Sequence, residues 1–281
     1  MTLDFFKGHA YGNDFLCVPS DQTTHIECHE LARRICDRHA GIGADGLILY
    51  SPAKDGATMT LYNADGGVAE VSGNGVRCLA AWLAKQRRDT GGDTSDIVID
   101  TDGGRKSLSL LEHQGQRYLF RADMGHPLSL QQEELDVDGR LVQIISLSVG
   151  NPQCVVLMPS YEEAQRSFHE LGSRLTSHKY FQNGTNVELV VVERPDRIRI
   201  LIWERGVGST SSSGTGACAS AVAAAEFGGA NRIVDVVSDG GTQQVEWAES
   251  NEIRLTGWAE LLAHGQWWVS KENQKCWRSQ T

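Results

Sequence analysis

The chain contains the same short segment twice, and this internal repeat constrains its fold more than any other feature. A serine followed by Gly-x-Gly leads into an alanine-rich stretch at Ser72 and again, 141 residues later, at Ser213. A polar residue lies nine positions before each serine, Asn63 in one copy and Glu204 in the other. Glycine-rich turns before helices are common, so the evidence for a repeat is the agreement of the spacings in the two copies. We interpret the chain as two diverged copies of one α/β unit, with a boundary near residue 120.

Positions further upstream extend the repeat. Asp45 and Asn186 each lie 27 residues before the corresponding serine, and each is followed by a short apolar run. A Gly-Asn pair ending at Asn13 is matched by one ending at Asn151, at offsets of 59 and 62 residues from the serines. The 281 residues suit two domains of about 140 residues each.

Hydrophobic patterns predict strands that alternate with helices in both halves. The two alanine-rich helices suit positions enclosed by a sheet, although alanine is also simply a good helix former. The predicted strands are 47–50, 58–62, 97–99, 154–157, 188–192 and 198–202, and the predicted helices lie near 29–38, 75–88 and 216–227.

Composition excludes several classes of partner. The net charge of −10 would repel the phosphates of nucleic acids and of anionic membranes. No apolar run reaches the length of a membrane span, and the first residues lack a signal peptide's pattern, so we expect a cytoplasmic protein. The seven cysteines show no CxxC spacing and the nine histidines no metal-binding motif. We therefore expect free thiols and no metal.

The two Ser-Gly-x-Gly turns are candidate anion-binding sites. The first N–H groups of a helix have no intrahelical partner, and the helix dipole adds partial positive charge there. Segments 73–75 and 214–216 could therefore bind carboxylates or phosphates, and Ser72 and Ser213 would lie at the helix N-caps. Taken singly, each serine is better explained as a structural cap. Because there are two, we expect them to flank one cleft between the domains.

Other polar residues lie beside these turns. They are Asn13, Asn63, Asn74, Asn151, Asn186, Glu204 and Arg205. Asparagine in loops usually serves the turn itself, and Glu204 with Arg205 could form a surface ion pair. The alternative is that these groups recognise the amino and carboxylate groups of a substrate.

The motifs together resemble the diaminopimelate epimerase family, the pyridoxal-independent amino-acid racemases. The resemblance covers nearly the whole chain and rests on segments 9–15, 38–46, 62–66, 72–78, 150–152, 185–187, 203–206 and 214–218. It implies an α/β (α+β) fold of two pseudo-symmetric domains, each a curled mixed sheet around a central helix. The family's C-terminal strand commonly returns to the first domain, which implies domains of 1–120 with about 264–281, and 121–263.

The resemblance also implies a function and a set of site residues. The implied reaction is cofactor-independent epimerisation of an amino acid, LL-diaminopimelate to the meso form, in lysine and peptidoglycan-precursor biosynthesis. A small-molecule amino acid is the implied partner, and we consider a homodimer as the assembly. The family's substrate ligands correspond to Asn13, Asn63, Asn151, Asn186, Glu204 and Arg205, and its two carboxylate cradles to Gly73 with Asn74 and Gly214 with Thr215.

The sequence departs from the family at the acid and base. The family has a cysteine immediately before each cradle, where this chain has Ser72 and Ser213. Cys78 and Cys218 match family cysteines deeper in the helices, and Gln153 replaces a frequent histidine. A serine hydroxyl is a poor base unless another group activates it. Three explanations stay open: engineered serines, a natural variant acting on another amino acid as racemase, epimerase or dehydratase, and a non-catalytic amino-acid-binding protein.

Overall fold

The computed structural model describes residues 1–69, 72–93 and 96–269 and divides the chain into two compact units. The first unit comprises Met1–Phe120 together with Trp258–Thr281, and the second comprises Arg121–Gly257. The return to the first unit thus begins at Trp258, earlier than the expected position near 264. Residues 270–281 of the expected C-terminal strand lie outside the described residues.

The first unit is a mixed sheet with two helices. In chain order its elements are β1 (Thr2–Ala10), β2 (Asn13–Pro19), α1 (Cys28–Ile35), β3 (Gly46–Ala53), β4 (Gly56–Asn63), β5 (Val68–Ala69), α2 (Gly73–Asp89), β6 (Asp96–Thr101), β7 (Gly104–Gln114) and β8 (Arg117–Gly125), whose end passes the boundary at residue 120. β2 pairs with β3, and β4 with β6, in parallel, whereas β1–β2, β3–β4 and β6–β7 are antiparallel. The returning strand pairs antiparallel with β1, Thr2 opposite Trp268.

The second unit contains the following elements: β9 (Leu128–Val137), β10 (Arg140–Ser148), β11 (Pro152–Leu157), α3 (Tyr161–Thr176), β12 (Asn186–Arg194), β13 (Arg197–Glu204), β14 (Gly208–Thr210), α4 (Gly214–Phe227), β15 (Ile233–Ser238), β16 (Gly241–Trp247) and β17 (Ile253–Trp268), which continues into the first unit. β11 pairs with β12, and β13 with β15, in parallel. The pairs β9–β10, β10–β11, β12–β13, β15–β16 and β16–β17 are antiparallel.

The two units repeat one order of elements, which confirms the two-domain fold expected from the sequence. Each has a parallel β-α-β step (β2-α1-β3 and β11-α3-β12), an antiparallel hairpin (β3-β4 and β12-β13), and then an alanine-rich helix (α2 and α4). A further parallel strand follows each helix, β6 beside β4 and β15 beside β13. This order places the N-terminus of the alanine-rich helix just after the hairpin in both units.

The alanine content of α4 follows from its burial. Every residue of α4 from Gly216 to Ala224 is buried, and its alanines pack with strand residues such as Val155, Val190 and Ile200. A helix that is buried on all sides has no room for long side chains and carries apolar residues around its circumference. α2 is buried similarly from Asn74 to Ala81. No helix in the described part of the chain is long and apolar enough to cross a membrane.

Candidate functional site

Ser72 caps the central helix of the first unit. Its backbone is extended (φ −128°, ψ 119°), and its Oγ accepts a hydrogen bond of 3.2 Å from the N–H of Gly75. Gly73 and Asn74 form the first turn of α2. The helix N-terminus predicted from the Ser-Gly-x-Gly motif is therefore present, with the serine at the N-cap.

A polar network anchors Asn74 to the strands. The Nδ2 of Asn74 donates to the Oδ1 of Asn13 over 3.2 Å, and the Nδ2 of Asn13 donates to Asp45 over 2.8 Å. The guanidinium of Arg77, one turn further along α2, donates to the Oδ1 of Asn74. Asn63 ends β4 opposite Gly46, and the next residue, Ala64, donates its N–H to the carbonyl of Asp45 over 3.0 Å. The first unit thus links Asn74 to Asp45 through Asn13, and Asn63 precedes the residue that binds the Asp45 carbonyl.

Asp14 is joined to this network through Arg38 and through its own N–H, which donates to Asp45. Its carboxylate accepts from Lys7 over 2.9 Å and from Arg38 over 2.7 Å, and Arg38 also binds Asp45 over 2.7 Å. Burial raises the pKa of Asp14, but the hydrogen bonds from Arg38 and Lys7 outweigh burial and leave the pKa lowered. Asp14 and Asp45 were not predicted as site residues. Two features of the sequence could have pointed to them: Asp14 follows the predicted ligand Asn13, and Asp45 is one of the positions that define the repeat.

Ser213 caps the central helix of the second unit in the same way. Its backbone is extended (φ −138°, ψ 130°), and its Oγ accepts from the N–H of Gly216 over 3.2 Å. Gly214 and Thr215 form the first turn of α4. The geometry of the cap therefore matches that of Ser72, as the repeat predicts.

The predicted polar residues of the second unit form two groups. The Oδ1 of Asn186 accepts from the backbone N–H of Arg205 over 2.9 Å, which fixes the turn that follows Glu204. The guanidinium of Arg205 donates to the carbonyl of Asn183 over 2.8 Å. In the second group, the Oδ1 of Asn151 accepts a hydrogen bond of 2.6 Å from the Nε2 of Gln153. Gln153 pairs with Asn186 in the parallel register of β11 and β12, so the two groups adjoin.

Glu188 is a buried carboxyl that the sequence analysis missed. It lies in β12 at 0 % exposure, and neither carboxyl oxygen has a hydrogen-bond partner among the residues described. Burial raises the pKa of Glu188 well above its usual range, and the nearby Glu204 raises it further. The signal in the sequence is a single glutamate in an otherwise apolar predicted strand, 188–192.

The central helices of the two units have different neighbours at their third residue. A Cβ placed on Gly216 would lie 2.6 Å from Oε1 of Glu188 and 3.1 Å from Cβ of Ser213. The equivalent point on Gly75 lies 3.0 Å from Cδ1 of Ile48 and 3.4 Å from Cβ of Ser72. A carboxyl therefore lies against the third residue of the central helix in the second unit, where the first unit has a methyl group.

The cysteines of the two central helices lie inside those helices and not at their N-caps. Cys78 and Cys218 are fully buried in α2 and α4, and burial raises the pKa of Cys78 to about 12. None of the six cysteines among the described residues forms a disulfide, and Cys276 lies outside those residues. Over residues 1–69, 72–93 and 96–269, no cluster of three or more His, Cys, Asp or Glu side chains could hold a metal ion.

Comparison with known proteins identifies close relatives in sequence. The family model described as diaminopimelate epimerase matches residues 5–129 and 145–262. The diaminopimelate epimerase of Desulfitobacterium hafniense is 35% identical over 280 residues, covering 94% of this chain and 97% of that protein. The diaminopimelate epimerase of Synechocystis sp. is 36% identical over 285 residues, covering 95% and 99%.

Solved structures share the fold at much lower identity. A probable proline racemase from Agrobacterium radiobacter, with bound carbonate, superposes with a TM-score of 0.70 at 14% identity, covering 96% of this chain and 94% of that one. A hydroxyproline epimerase from Agrobacterium vitis, with bound trans-4-hydroxy-L-proline, gives a TM-score of 0.67 at 13% identity, covering 95% and 91%. At such identities the likeness extends to the fold alone.

Proposed function

Because the chain belongs to the diaminopimelate epimerase family, we propose that it inverts one α-carbon of LL-diaminopimelate to give the meso form, without a cofactor. The members of this family are isomerases. Our proposal concerns the substrate on which this chain acts. Relatives known as diaminopimelate epimerases support that substrate, since about a third of the residues are identical over nearly the whole length of this chain.

The pair of capping serines is the observation that carries the proposal. Ser72 and Ser213 occupy the same position in both repeats, each with its Oγ 3.2 Å from the N–H three residues on. The remaining first-turn N–H groups of α2 and α4 can bind an anion. An epimerase needs one group that removes the α-proton and a second that returns a proton, and the two hydroxyls occupy matched positions for such a pair, although a hydroxyl is a weak base unless another group activates it.

The polar residues have complementary roles in this proposal. The first-turn N–H groups at Gly73–Asn74 and Gly214–Thr215 bind the α-carboxylate of the reacting carbon through charge-assisted hydrogen bonds. Asn13, Asn63, Asn151 and Asn186, with Glu204 and Arg205, bind the amino groups and the remaining carboxylate. The hydrogen bonds that hold Asn13 on Asp45 and Asn186 on the Arg205 backbone fix the orientation of their amides before substrate binds.

Incubation with LL-diaminopimelate in deuterated water tests the proposal. NMR should show loss of the α-proton signal together with appearance of the meso isomer. In a parallel incubation with a β-hydroxylated amino acid, exchange with loss of water would indicate a dehydratase instead. Binding without exchange would indicate an amino-acid-binding protein and would overturn the epimerase proposal.

Replacing both serines by cysteine gives a sharper prediction. A thiol has a pKa near 8.5, and a helix N-terminus lowers it, so Ser72→Cys with Ser213→Cys should supply a thiolate and a thiol. We expect α-proton exchange to rise by about 10²–10⁴-fold per positioned group. Each single replacement should recover little, because the acid and base act as a unit. A double-cysteine protein that folds and binds diaminopimelate without exchanging its proton would contradict the proposal.

A further inference from the structure

We propose that Arg77 is a positioning residue that holds the side chain of Asn13 in its binding orientation by acting through Asn74. Arg77 does not touch the substrate in this proposal. The inference rests on the proposed function, in which Asn13 is a substrate ligand, and it concerns the first unit alone.

The contacts form an unbroken chain from Arg77 to Asp45. The guanidinium of Arg77 donates to the Oδ1 of Asn74. The Nδ2 of Asn74 donates to the Oδ1 of Asn13 over 3.2 Å, and the Nδ2 of Asn13 donates to Asp45 over 2.8 Å. Asn13 is thus held at both ends of its amide group, and Arg77 supplies the first donor of the chain.

The two ends of this chain fix the direction of its hydrogen bonds. A guanidinium can only donate, and the Asp45 carboxylate, which is ion-paired with Arg38, can only accept. Reversing the amide of Asn13 would place its Oδ1 against that carboxylate, and reversing the amide of Asn74 would place its N–H groups against Arg77. Asn13 is partly exposed, so in the fixed orientation its second Nδ2 proton can reach the carboxylate of a ligand.

Arg77 also packs against the turn that precedes Asn13. Its guanidinium carbon lies 5.7 Å from the centroid of the Tyr11 ring, within the range of a cation–π contact. Tyr11 has a backbone φ of 56°, a conformation that is uncommon for a large side chain and that surrounding contacts must hold in place. The Tyr11 hydroxyl accepts from the N–H of Trp258 over 3.2 Å, which anchors the ring. Arg77 therefore contacts both the amide chain and the turn that position Asn13.

The repeat does not require a guanidinium at this place. At the offset of 141 residues, Asn74 corresponds to Thr215 and Arg77 to Cys218. Cys218 is fully buried in α4, so a small side chain satisfies the same helix. Arg77 is 1 % exposed, and burying a guanidinium costs free energy unless hydrogen bonds compensate. A residue with this cost, present in one copy alone and bonded to Asn74, indicates a role in the site rather than in packing.

A double-mutant cycle measured by calorimetry with LL-diaminopimelate tests this role. Asn13→Ala and Arg77→Met should each weaken binding by about 10-fold, the loss expected for one hydrogen bond. Because Arg77 acts through Asn13, the double variant should bind no more weakly than Asn13→Ala alone. Arg121→Met, at an exposed position of β8, is the control and should leave the affinity unchanged. Additive losses would show that Arg77 acts elsewhere and would overturn the proposal.

Asn74→Asp separates orientation from packing, and it replaces Arg77→Met if that variant fails to fold. Aspartate still accepts from Arg77, so the thermal stability should be retained, but a carboxylate cannot donate to Asn13. We expect this variant to bind about 10-fold more weakly, with no further loss when it is combined with Asn13→Ala. Undiminished binding, or an equal loss in both backgrounds, contradicts the proposal, since the latter would show a charge acting directly on the substrate.

NMR of the side-chain amides tests the positioning without a substrate. The Nδ2 protons of Asn13, assigned by their loss in Asn13→Ala, should shift and exchange faster with solvent in Arg77→Met and in Asn74→Asp, but not in Arg121→Met. Unchanged Asn13 signals in the first two variants overturn the proposal. If the unmodified protein binds no diaminopimelate, the proposed function fails, and the NMR result still decides whether Arg77 holds Asn13.

Discussion

Gly216 and Gly75 occupy the third position of α4 and α2, but a side chain would meet different neighbours there. We expect Gly216→Ala to destabilise the protein by about 1–3 kcal/mol, because the new methyl group would displace the enclosed Glu188 carboxyl. Gly75→Ala should change stability by less than about 1 kcal/mol, since a gain in helix propensity offsets a milder contact with Ile48. Urea unfolding of both variants measures the difference, and equal effects would contradict it.

Asp14 should make a pH-dependent contribution to stability. Its pKa is lowered in the folded state, so the stabilisation is fully present above the carboxyl's unfolded pKa and is lost as pH falls through the folded pKa. At pH 7, Asp14→Asn should lower the free energy of unfolding by about 1–3 kcal/mol, and the deficit should shrink below about pH 4.

Urea titrations at a series of pH values measure this deficit, with Glu170→Gln, an exposed glutamate on α3, as the control. A deficit that is constant with pH would show that Asp14 acts through packing rather than through charge.

At the scale of the helix, the capping serines have a structural role beside the proposed chemical one. Ser160 caps α3 by accepting a hydrogen bond of 3.3 Å from the N–H of Glu163, and α3 is neither of the two central helices. Ser160→Ala and Ser213→Ala should each cost about 0.5–2 kcal/mol of stability. Only Ser213→Ala should also abolish α-proton exchange. Thermal unfolding together with the NMR assay separates the two roles, and full exchange in Ser213→Ala would leave Ser213 as a cap alone.

Several elements with strong patterns were predicted, but others with equally clear patterns were missed, as were elements with polar sequences. The three predicted helices are confirmed, although α1 spans Cys28–Ile35 rather than 29–38. Helix α3 was missed, despite Ser160 followed by Glu163 and apolar residues at Ala164, Phe168 and Leu171 on one face. Strands such as β9 were missed because most of their residues are exposed, so no hydrophobic alternation marks them.

At the scale of the whole molecule, duplication explains which parts of the candidate site were visible in the sequence. Ser72 and Ser213 stand out because the two copies agree at those positions. Glu188 was hidden because the copies disagree there, with Ile48 in contact with the equivalent glycine of the first unit. A repeat reveals what both copies share, whereas a feature of one copy needs packing information to be recognised.

The overall charge leads to the last prediction. A net charge of −10 opposes the approach of any anion, so in our proposal the local N–H groups hold the carboxylates against a repulsive long-range field. Diaminopimelate carries two positive and two negative charges and feels little of this field, whereas pimelate, which lacks the amino groups, is a dianion. Between about 10 mM and about 0.1 M salt the Debye length falls from about 30 Å to about 10 Å. We expect the affinity for pimelate to rise over this range and that for diaminopimelate to stay nearly constant, as measured by calorimetry at fixed pH. A pimelate affinity that falls with salt would show that the local positive potential of the cradles outweighs the charge of the whole chain.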